Sequence, residues 1–573
     1  MKHREGFEFA QSVIPERILR GMRTGEEVHE YLAARVSRRS VLKGLGLAGL
    51  AGLASPVLWS KPGRAAEPPR GVHLSYGTDP RREMNVSWFT QASVAKPVVD
   101  VGPTSAYGTV VEAESVTYLR PADYGGVITI QHHATIRGLE PDTSYHYRVR
   151  HQGAAAEDAT FRTAPDRIEP FRFTAFGDHG IDPGTNHGRT QQGTPYSKVA
   201  VGAVAALQPR FHLVAGDISY ATGVQDVWDT WCEDAQPSAA VTPWMVGLGN
   251  HEMEHGFGPQ GYDPFRSRFR VPDNGLDWKP ERTGTFYAFQ HANVLMVVLD
   301  GNEAASESGY DENRGYLKGA QDRWLRSTLH TGRTNPTVDW IVVSFHNCMY
   351  CTDVLHGSDG GCRARWQAIF EEFEVDVVLN GHNHCYERSY PIRGADYTIL
   401  APTQPADPVG MGVTYLCVGG GGNLARAAST YPTAAVFDEE GGRQTESGDW
   451  RARRFDGHSL AVFDVDPGAA GGTTTLKLSA REFMGPGLGE VDALTLERPA
   501  KAIVAGRVGG GTATPAPKPG PVVGGVRNEK ELPATGSAAA TFAAGAAAAA
   551  APATIARSLH EPGHADEQAP GDA

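Results

Sequence analysis

Between residues 68 and 165 the chain alternates apolar and polar positions in short runs, at 84–90, 95–101, 127–136 and 145–151, separated by Gly, Pro and Asp. Regular short strands broken by turn residues predict a small β-sandwich. Beyond residue 170 the pattern changes. Apolar runs at 171–176, 211–220, 244–248, 340–345 and 375–379 are short, and each ends at or beside glycine or a polar turn residue, which reads as a buried strand entering a loop. Helix-period patterns lie between them, at 197–207, 321–329 and 363–373. The run 412–422 ends in four glycines, where the backbone is expected to pass close beneath the ligand-bearing strand ends or a neighbouring strand, a flexible loop being the alternative. Runs at 459–465, 473–478 and 493–496 read as closing antiparallel strands. This alternation predicts two central strand layers with helices outside.

What stands at the strand ends changes the picture. Gly177-Asp178-His179-Gly180, Gly216-Asp217-Ile218-Ser219-Tyr220, Gly249-Asn250-His251-Glu252, His346 and Gly381-His382-Asn383-His384 each place a hard oxygen or imidazole donor just past an apolar run. In an open α/β sheet such ends face the ligand crevice. Any one of them alone is an ordinary turn. Together, Asp178, Asp217, Tyr220, Asn250, His346, His382 and His384 supply enough ligands for two metals if one carboxylate bridges.

The set Gly-Asp-x-Gly, Gly-Asp-x-x-Tyr, Gly-Asn-His-Glu, Val-x-x-His from Val343 and Gly-His-x-His resembles the purple acid phosphatases, within the calcineurin-like metallophosphoesterases. The tyrosine three residues after the second aspartate is the discriminating feature. The run His384-Cys385-Tyr386-Glu387-Arg388-Ser389-Tyr390-Pro391 is similar as well. The resemblance implies an α/β/β/α sandwich in which Fe(3+) is held by Asp178, Asp217, Tyr220 and His384. A divalent ion (Zn, Mn or Fe) would be held by Asp217, Asn250, His346 and His382. The chemistry agrees: carboxylate and phenolate oxygens suit a trivalent ion, an Asn carbonyl and two imidazoles a divalent one. Such a pair lowers the pKa of a bound water and clamps an in-line displacement at phosphorus. His251 is the expected stabiliser of charge on the phosphoryl oxygens. By family spacing His356 is the candidate acid for the leaving alcohol, with a solvated loop residue as the alternative.

Gly138-Leu139-Glu140-Pro141-Asp142-Thr143-Ser144-Tyr145 resembles the fibronectin type III domain, and plant-type purple acid phosphatases carry a similar N-terminal domain. Its expected role is packing against the catalytic domain, with carbohydrate binding as the alternative. The expected organisation is therefore multidomain α+β: a signal region (1–66), a fibronectin III-like β-sandwich (67–166), a metallophosphoesterase domain (167–505) and a spacer with tail (506–573). The length of 573 residues suits two or three domains plus appendages.

Ser37-Arg38-Arg39-Ser40 ahead of the apolar run 44–58 matches the twin-arginine export signal, with cleavage near Ala65-Ala66. The alternative, a membrane anchor, is disfavoured because the run is short for a span, and no stable transmembrane span is expected in the mature protein. Leu532-Pro533-Ala534-Thr535-Gly536 matches the cell-wall sorting signal cut by sortase. Its Gly/Pro/Ala-rich approach fits, the acidic residues beyond Arg557 do not, and a disordered tail is the alternative. The expected location is secreted, with cell-wall attachment if that motif is used. A net charge of −13 argues against a nucleic-acid partner.

Of the six cysteines, Cys348, Cys351 and Cys362 crowd the loop after His346. One disulfide from Cys362 to either of the other two would shape the rim, and Cys385 and Cys417 read as buried thiols. Cys348-x-x-Cys351 has the spacing of half a zinc site, but no second pair at the right spacing completes it. The pocket rim is expected from loops at 181–196 and 252–283. The function expected is an exported acid phosphatase acting on small phosphate monoesters. The alternatives are a phosphodiesterase or nucleotide phosphatase on the same metals and, from another class, a non-catalytic cell-wall binding protein.

Overall fold

A computed structural model describes residues 68–119, 128–182, 193–254, 261–276, 284–307, 313–353, 356–423, 433–437 and 443–501. The twin-arginine and sorting motifs lie outside the described residues, as do parts of both expected rim loops. Among the described residues no helix is long and apolar enough to cross a membrane.

The N-terminal part is a sandwich of two antiparallel sheets. One runs Arg70–Tyr76, Glu83–Thr90, Ile128–Arg137, Glu114–Leu119; the other contains Thr109–Glu112, Val98–Gly102 and Ser144–His151. Inward residues such as Val86, Trp88, Val99, Val101, Tyr147 and Val149 share one buried cluster, as the period of two requires. The Tyr145 hydroxyl accepts from the Glu140 backbone N–H at 2.9 Å, tying a corner before the strand it begins.

Two further sheets stack face to face. The first has the order Trp244–Val246, His212–Val214, Phe171–Phe176, Ser459–Asp466, Thr473–Glu482, Gly489–Pro499. The second runs Tyr287–His291, Val294–Val298, Trp340–Ser344, Val377–Asn380, Thr414–Val418, Tyr386–Ser389, Arg451–Phe455. Alternation sorts their side chains. Phe173, Ala175, Val342, Val377 and Leu379 fill the space between the sheets, where Phe173 stacks on Phe211 and Phe463. Ile341, Val343 and Val378 face outward against Trp324, Leu325 and Leu329 of the helix Ala320–Thr334 and against Trp366, Ile369 and Phe370. Phe176, Val214 and Val246 pack outward on the helices Tyr196–Leu207 and Gln225–Ala239. The result is the expected α/β/β/α sandwich.

Three differences from the sequence reading have physical causes. The helix expected at 363–373 is a π-turn, Arg363–Gln367, continuing as Ala368–Glu372. Such a widened turn is common near functional loops. The helix Gln225–Ala239 shows no clear helical period in the sequence, because its polar face and internal Pro237 dilute it, although Trp228, Trp231 and Ala235 bury one face. The expected disulfide from Cys362 is absent. All six cysteines are free, and Cys362 lies in the apolar core beneath the second sheet, away from Cys348 and Cys351.

Candidate metal centre

In the first sheet the strands Phe171–Phe176, His212–Val214 and Trp244–Val246 are parallel, and in the second Trp340–Ser344 and Val377–Asn380 are parallel. Parallel strands deliver their carboxyl-end loops to one edge. The structure brings all seven expected ligands together there.

Tyr220, 4% exposed, donates from Oη to Asp178 Oδ1 at 2.8 Å and lies 2.9 Å from His384 Nε2. His384 Nε2 is 3.4 Å from Asp178 Oδ1. Beside this group, His346 Nε2 lies 3.0 Å from Asn250 Oδ1, 3.3 Å from Asp217 Oδ1 and 3.3 Å from His382 Nδ1. The outer nitrogens are engaged elsewhere: His346 Nδ1 donates to the Ala215 carbonyl (2.8 Å), and His382 Nε2 to Glu307 Oε2 (2.8 Å). The inner nitrogens therefore face carboxylate and amide oxygens, and a buried set of that kind is satisfied by a cation, a proton on His346 or a metal pair, so the donor set fits two metal ions. The field agrees. Burial alone would lower the His346 pKa, but the Asp217 and Asp178 carboxylates outweigh it and push it up to about 10.

The backbone is strained where the ligands sit. Asp178, Asp217, Tyr220 and His382 have φ of 56°, 49°, 54° and 73°. Left-handed non-glycine residues cost ~1–3 kcal/mol each and cluster at functional sites. The loops also approach too closely for side chains at their glycines: a Cβ on Gly381 would lie 2.7 Å from Asp178 Oδ2 and 2.9 Å from His346 Nδ1. One on Gly419, in the four-glycine run, would lie 2.7 Å from Asp178 Oδ2. The close approach expected for that run is thus to the metal edge itself.

His251 lies at the rim, its side chain 23% exposed and its Nε2 3.9 Å from Asp217 Oδ2. The Thr222 hydroxyl meets its Nδ1 at 3.0 Å. His356 is not a solvated loop residue. It is 8% exposed, its ring centroid is 4.1 Å from that of His382, and its Nδ1 lies 3.0 Å from Glu307 Oε1.

Two acids escaped the sequence reading. Glu307 receives both His356 and His382. Burial opposes its ionisation, but those two imidazoles pull its pKa down to about 2. It stands well beyond the end of the strand Val294–Val298 and carries no motif, so no local signal marks it. Glu252 stood in view beside His251. Its carboxylate accepts from the backbone N–H groups of Asp217 (2.9 Å), Ile218 (3.0 Å) and Gly249 (2.7 Å), locking two ligand loops together.

A two-sheet sandwich whose parallel strands converge on such donors defines a metallophosphoesterase, and residues 171–386 match the family profile described as calcineurin-like phosphoesterase. Residues 69–163 match the profile described as purple acid phosphatase, N-terminal domain. An uncharacterized protein of Mycobacterium tuberculosis strain H37Rv is 36% identical over 496 residues, covering 80% of this chain and 93% of the relative. Purple acid phosphatase 18 of Arabidopsis thaliana is 29% identical, covering 66% of this chain and 77% of the relative. The solved structure of purple acid phosphatase PPD1 from yellow lupin seeds shares the fold, with a TM-score of 0.61 at 18% identity over 75% of each chain. The chain belongs to the purple acid phosphatase family, whose members are binuclear metal enzymes, and is a metal-dependent phosphatase.

Proposed function

We propose that this protein is an exported acid phosphatase that hydrolyses phosphate monoesters, with Fe(3+) held by Asp178, Asp217, Tyr220 and His384 and a divalent ion by Asp217, Asn250, His346 and His382. The observation that carries the reading is Tyr220, whose hydroxyl lies within 2.9 Å of both Asp178 and His384 and so adds a phenolate donor to a hard oxygen set. When bound, such a pair activates water and neutralises charge developing at phosphorus. The chain's own residues do the rest. Thr222 Oγ1, 3.0 Å from His251 Nδ1, fixes the ring with Nε2 toward the site, where a proton on that nitrogen can be donated to a phosphoryl oxygen. Glu307 fixes the His356 ring through Nδ1, leaving Nε2 for the leaving alcohol, and orients His382 through its outer nitrogen.

Export rests on the twin-arginine pattern, and wall attachment on the Leu-Pro-Ala-Thr-Gly motif. The tied tyrosine corner supports a fibronectin III-like N-terminal sandwich. It packs against the catalytic domain: Tyr76 Oη donates to the Arg210 carbonyl at 3.0 Å and Tyr147 Oη to that of Ala240 at 2.7 Å.

The test is a visible absorption spectrum with metal analysis on the purified mature protein. A broad green-to-yellow band with iron present, lost in Tyr220→Phe, is the expected result. A colourless, active protein with two zinc or manganese ions would remove the ferric assignment. Turnover of phosphodiesters above monoesters in the same preparation would replace the substrate class.

A further inference from the structure

Of the six cysteines, two behave as small hydrophobes. Cys232 packs among Trp228, Trp231 and Phe269, and Cys362 among Phe345 and Trp366, each within a large apolar core. The other four do not. Cys348, Cys351, Cys385 and Cys417 form a buried cluster composed of cysteines alone. The Sγ atoms of Cys348, Cys351 and Cys417 lie within 4.8 Å of one another, and Cys351 Sγ is 3.8 Å from Cys385 Sγ. Sulfur avoids neither apolar side chains nor solvent so strongly that chance would collect four thiols from three separate segments. The second pair that sequence spacing lacked is supplied by the fold: Cys385 follows His384, and Cys417 lies on the strand Thr414–Val418.

We propose that these four cysteines are a closed structural metal site, a tetrathiolate that takes zinc, set behind the catalytic edge. Thiolates about 2.3 Å from a tetrahedral zinc are separated by roughly 3.8 Å along each edge; Cys348, Cys351 and Cys417 lie within 4.8 Å of one another, and Cys385 joins them through Cys351 at 3.8 Å, so the fourth sulfur closes the site by a small shift. Complete burial with four protein ligands is the closed arrangement of a structural site. Arg454 Nη1 and Glu387 Oε2 lie 3.6 and 3.7 Å from Cys351 Sγ and 2.7 Å from each other, a buried ion pair that borders the cluster. As a thiol, Cys417 donates to the Asn383 carbonyl at 3.1 Å, and that proton is one of those the metal displaces to solvent. Cys348 is two residues beyond His346 and Cys385 one beyond His384, so the site cross-links the loops carrying ligands of both catalytic ions.

The test uses the full mature holoprotein. Metal analysis is expected to find one zinc equivalent beyond the catalytic pair, and Cys351→Ser and Cys385→Ser are each expected to lose that equivalent while Cys362→Ser keeps it. Cobalt substituted into wild-type protein should show intense thiolate-to-cobalt charge-transfer bands, so the assignment does not depend on the serine variants folding. A metal total that matches only the catalytic pair, with six titratable thiols in denatured protein or with an intact mass lowered by two hydrogens per bridge, would overturn it. Because the readout is a difference between wild type and variants, it stands apart from which ions fill the catalytic site.

Discussion

Two parts of this molecule are dense in buried histidine and surround it differently. At the catalytic edge His346, His382, His384 and His356 face carboxylates and one another; the Asp217 and Asp178 carboxylates overcome burial and raise His346 to about 10, while burial and then His356 hold His382 down to about 4. In and beside the seam between the N-terminal sandwich and the catalytic sheets, histidines meet hydroxyls, carbonyls and aromatic rings. His133 bonds Ser87 Oγ (2.8 Å) and the Ser267 carbonyl (2.9 Å), His132 bonds Thr90 and Ser115 hydroxyls (both 2.9 Å), and His291 packs on Phe171 with Tyr76 Oη 3.4 Å away. Burial, with His151 a lesser cause, lowers His132 to about 4; burial, then Arg210, lowers His291 to about 3; and burial holds His133 well below its ordinary value. His132 and His133 have both ring nitrogens engaged as neutral imidazoles, whereas His291 leaves Nε2 without a partner. The same residue type thus makes a metal edge in one place and a structural joint in another, and the difference lies in whether fixed negative charge or neutral acceptors surround it.

The comparison can be broken most sharply at the edge. Asn250→Ala removes a ligand oxygen 3.0 Å from His346 Nε2. Turnover is expected to fall to background with the circular dichroism spectrum unchanged, and an active, metal-verified variant would dissolve the ligand assignment. His251→Ala is expected to cost about 10²–10³ in kcat, the scale of one lost transition-state donor. Steady-state kinetics showing a loss below about tenfold would remove it from that role.

The seam responds in stability instead of turnover. Above the ordinary histidine pKa of 6.5 folded and unfolded states are both neutral; below it the unfolded chain takes up protons that His132 and His291 refuse until about pH 4 and 3. Stability therefore falls as pH drops through this window, by ~1.4 kcal/mol per pH unit for each such histidine, and levels off below the folded values. Urea unfolding at pH 7 and pH 5 measures it, and equal midpoints would mean that the seam histidines are not held neutral. The smallest effect is expected from Tyr76→Phe, which takes the hydroxyl donor from the half-buried Arg210 carbonyl. A loss of about 1–3 kcal/mol in unfolding free energy with kcat unchanged would mark the N-terminal sandwich as a packing partner, whereas a changed kcat would give it a part in the chemistry.

Much of the edge was legible because each ligand follows a short apolar run and most follow a glycine, a local pattern set by strand burial and by the tight turn beyond it. Asp178, Asp217, Tyr220 and His382 could be named before their left-handed backbone was seen. Glu307 could not, since its role depends on two imidazoles delivered by the loops beyond the neighbouring parallel strands Trp340–Ser344 and Val377–Asn380. The helix Gln225–Ala239 was hidden by polar residues on its outer face. His356 was placed by spacing, and only burial against Glu307 and His382 removed the loop alternative.

The order of apolar runs, the donors that end them and the tyrosine after the second aspartate determined by themselves the two-sheet architecture and the residues of the metal edge, because strand burial and turn geometry are local properties. Which histidines are charged, which acid orients them and which cysteines meet was decided only by tertiary structure. Those properties depend on the dielectric and on partners brought from distant segments. The pairing of Cys351 with Cys385 and Cys417 exists only once the strands of the second sheet lie side by side.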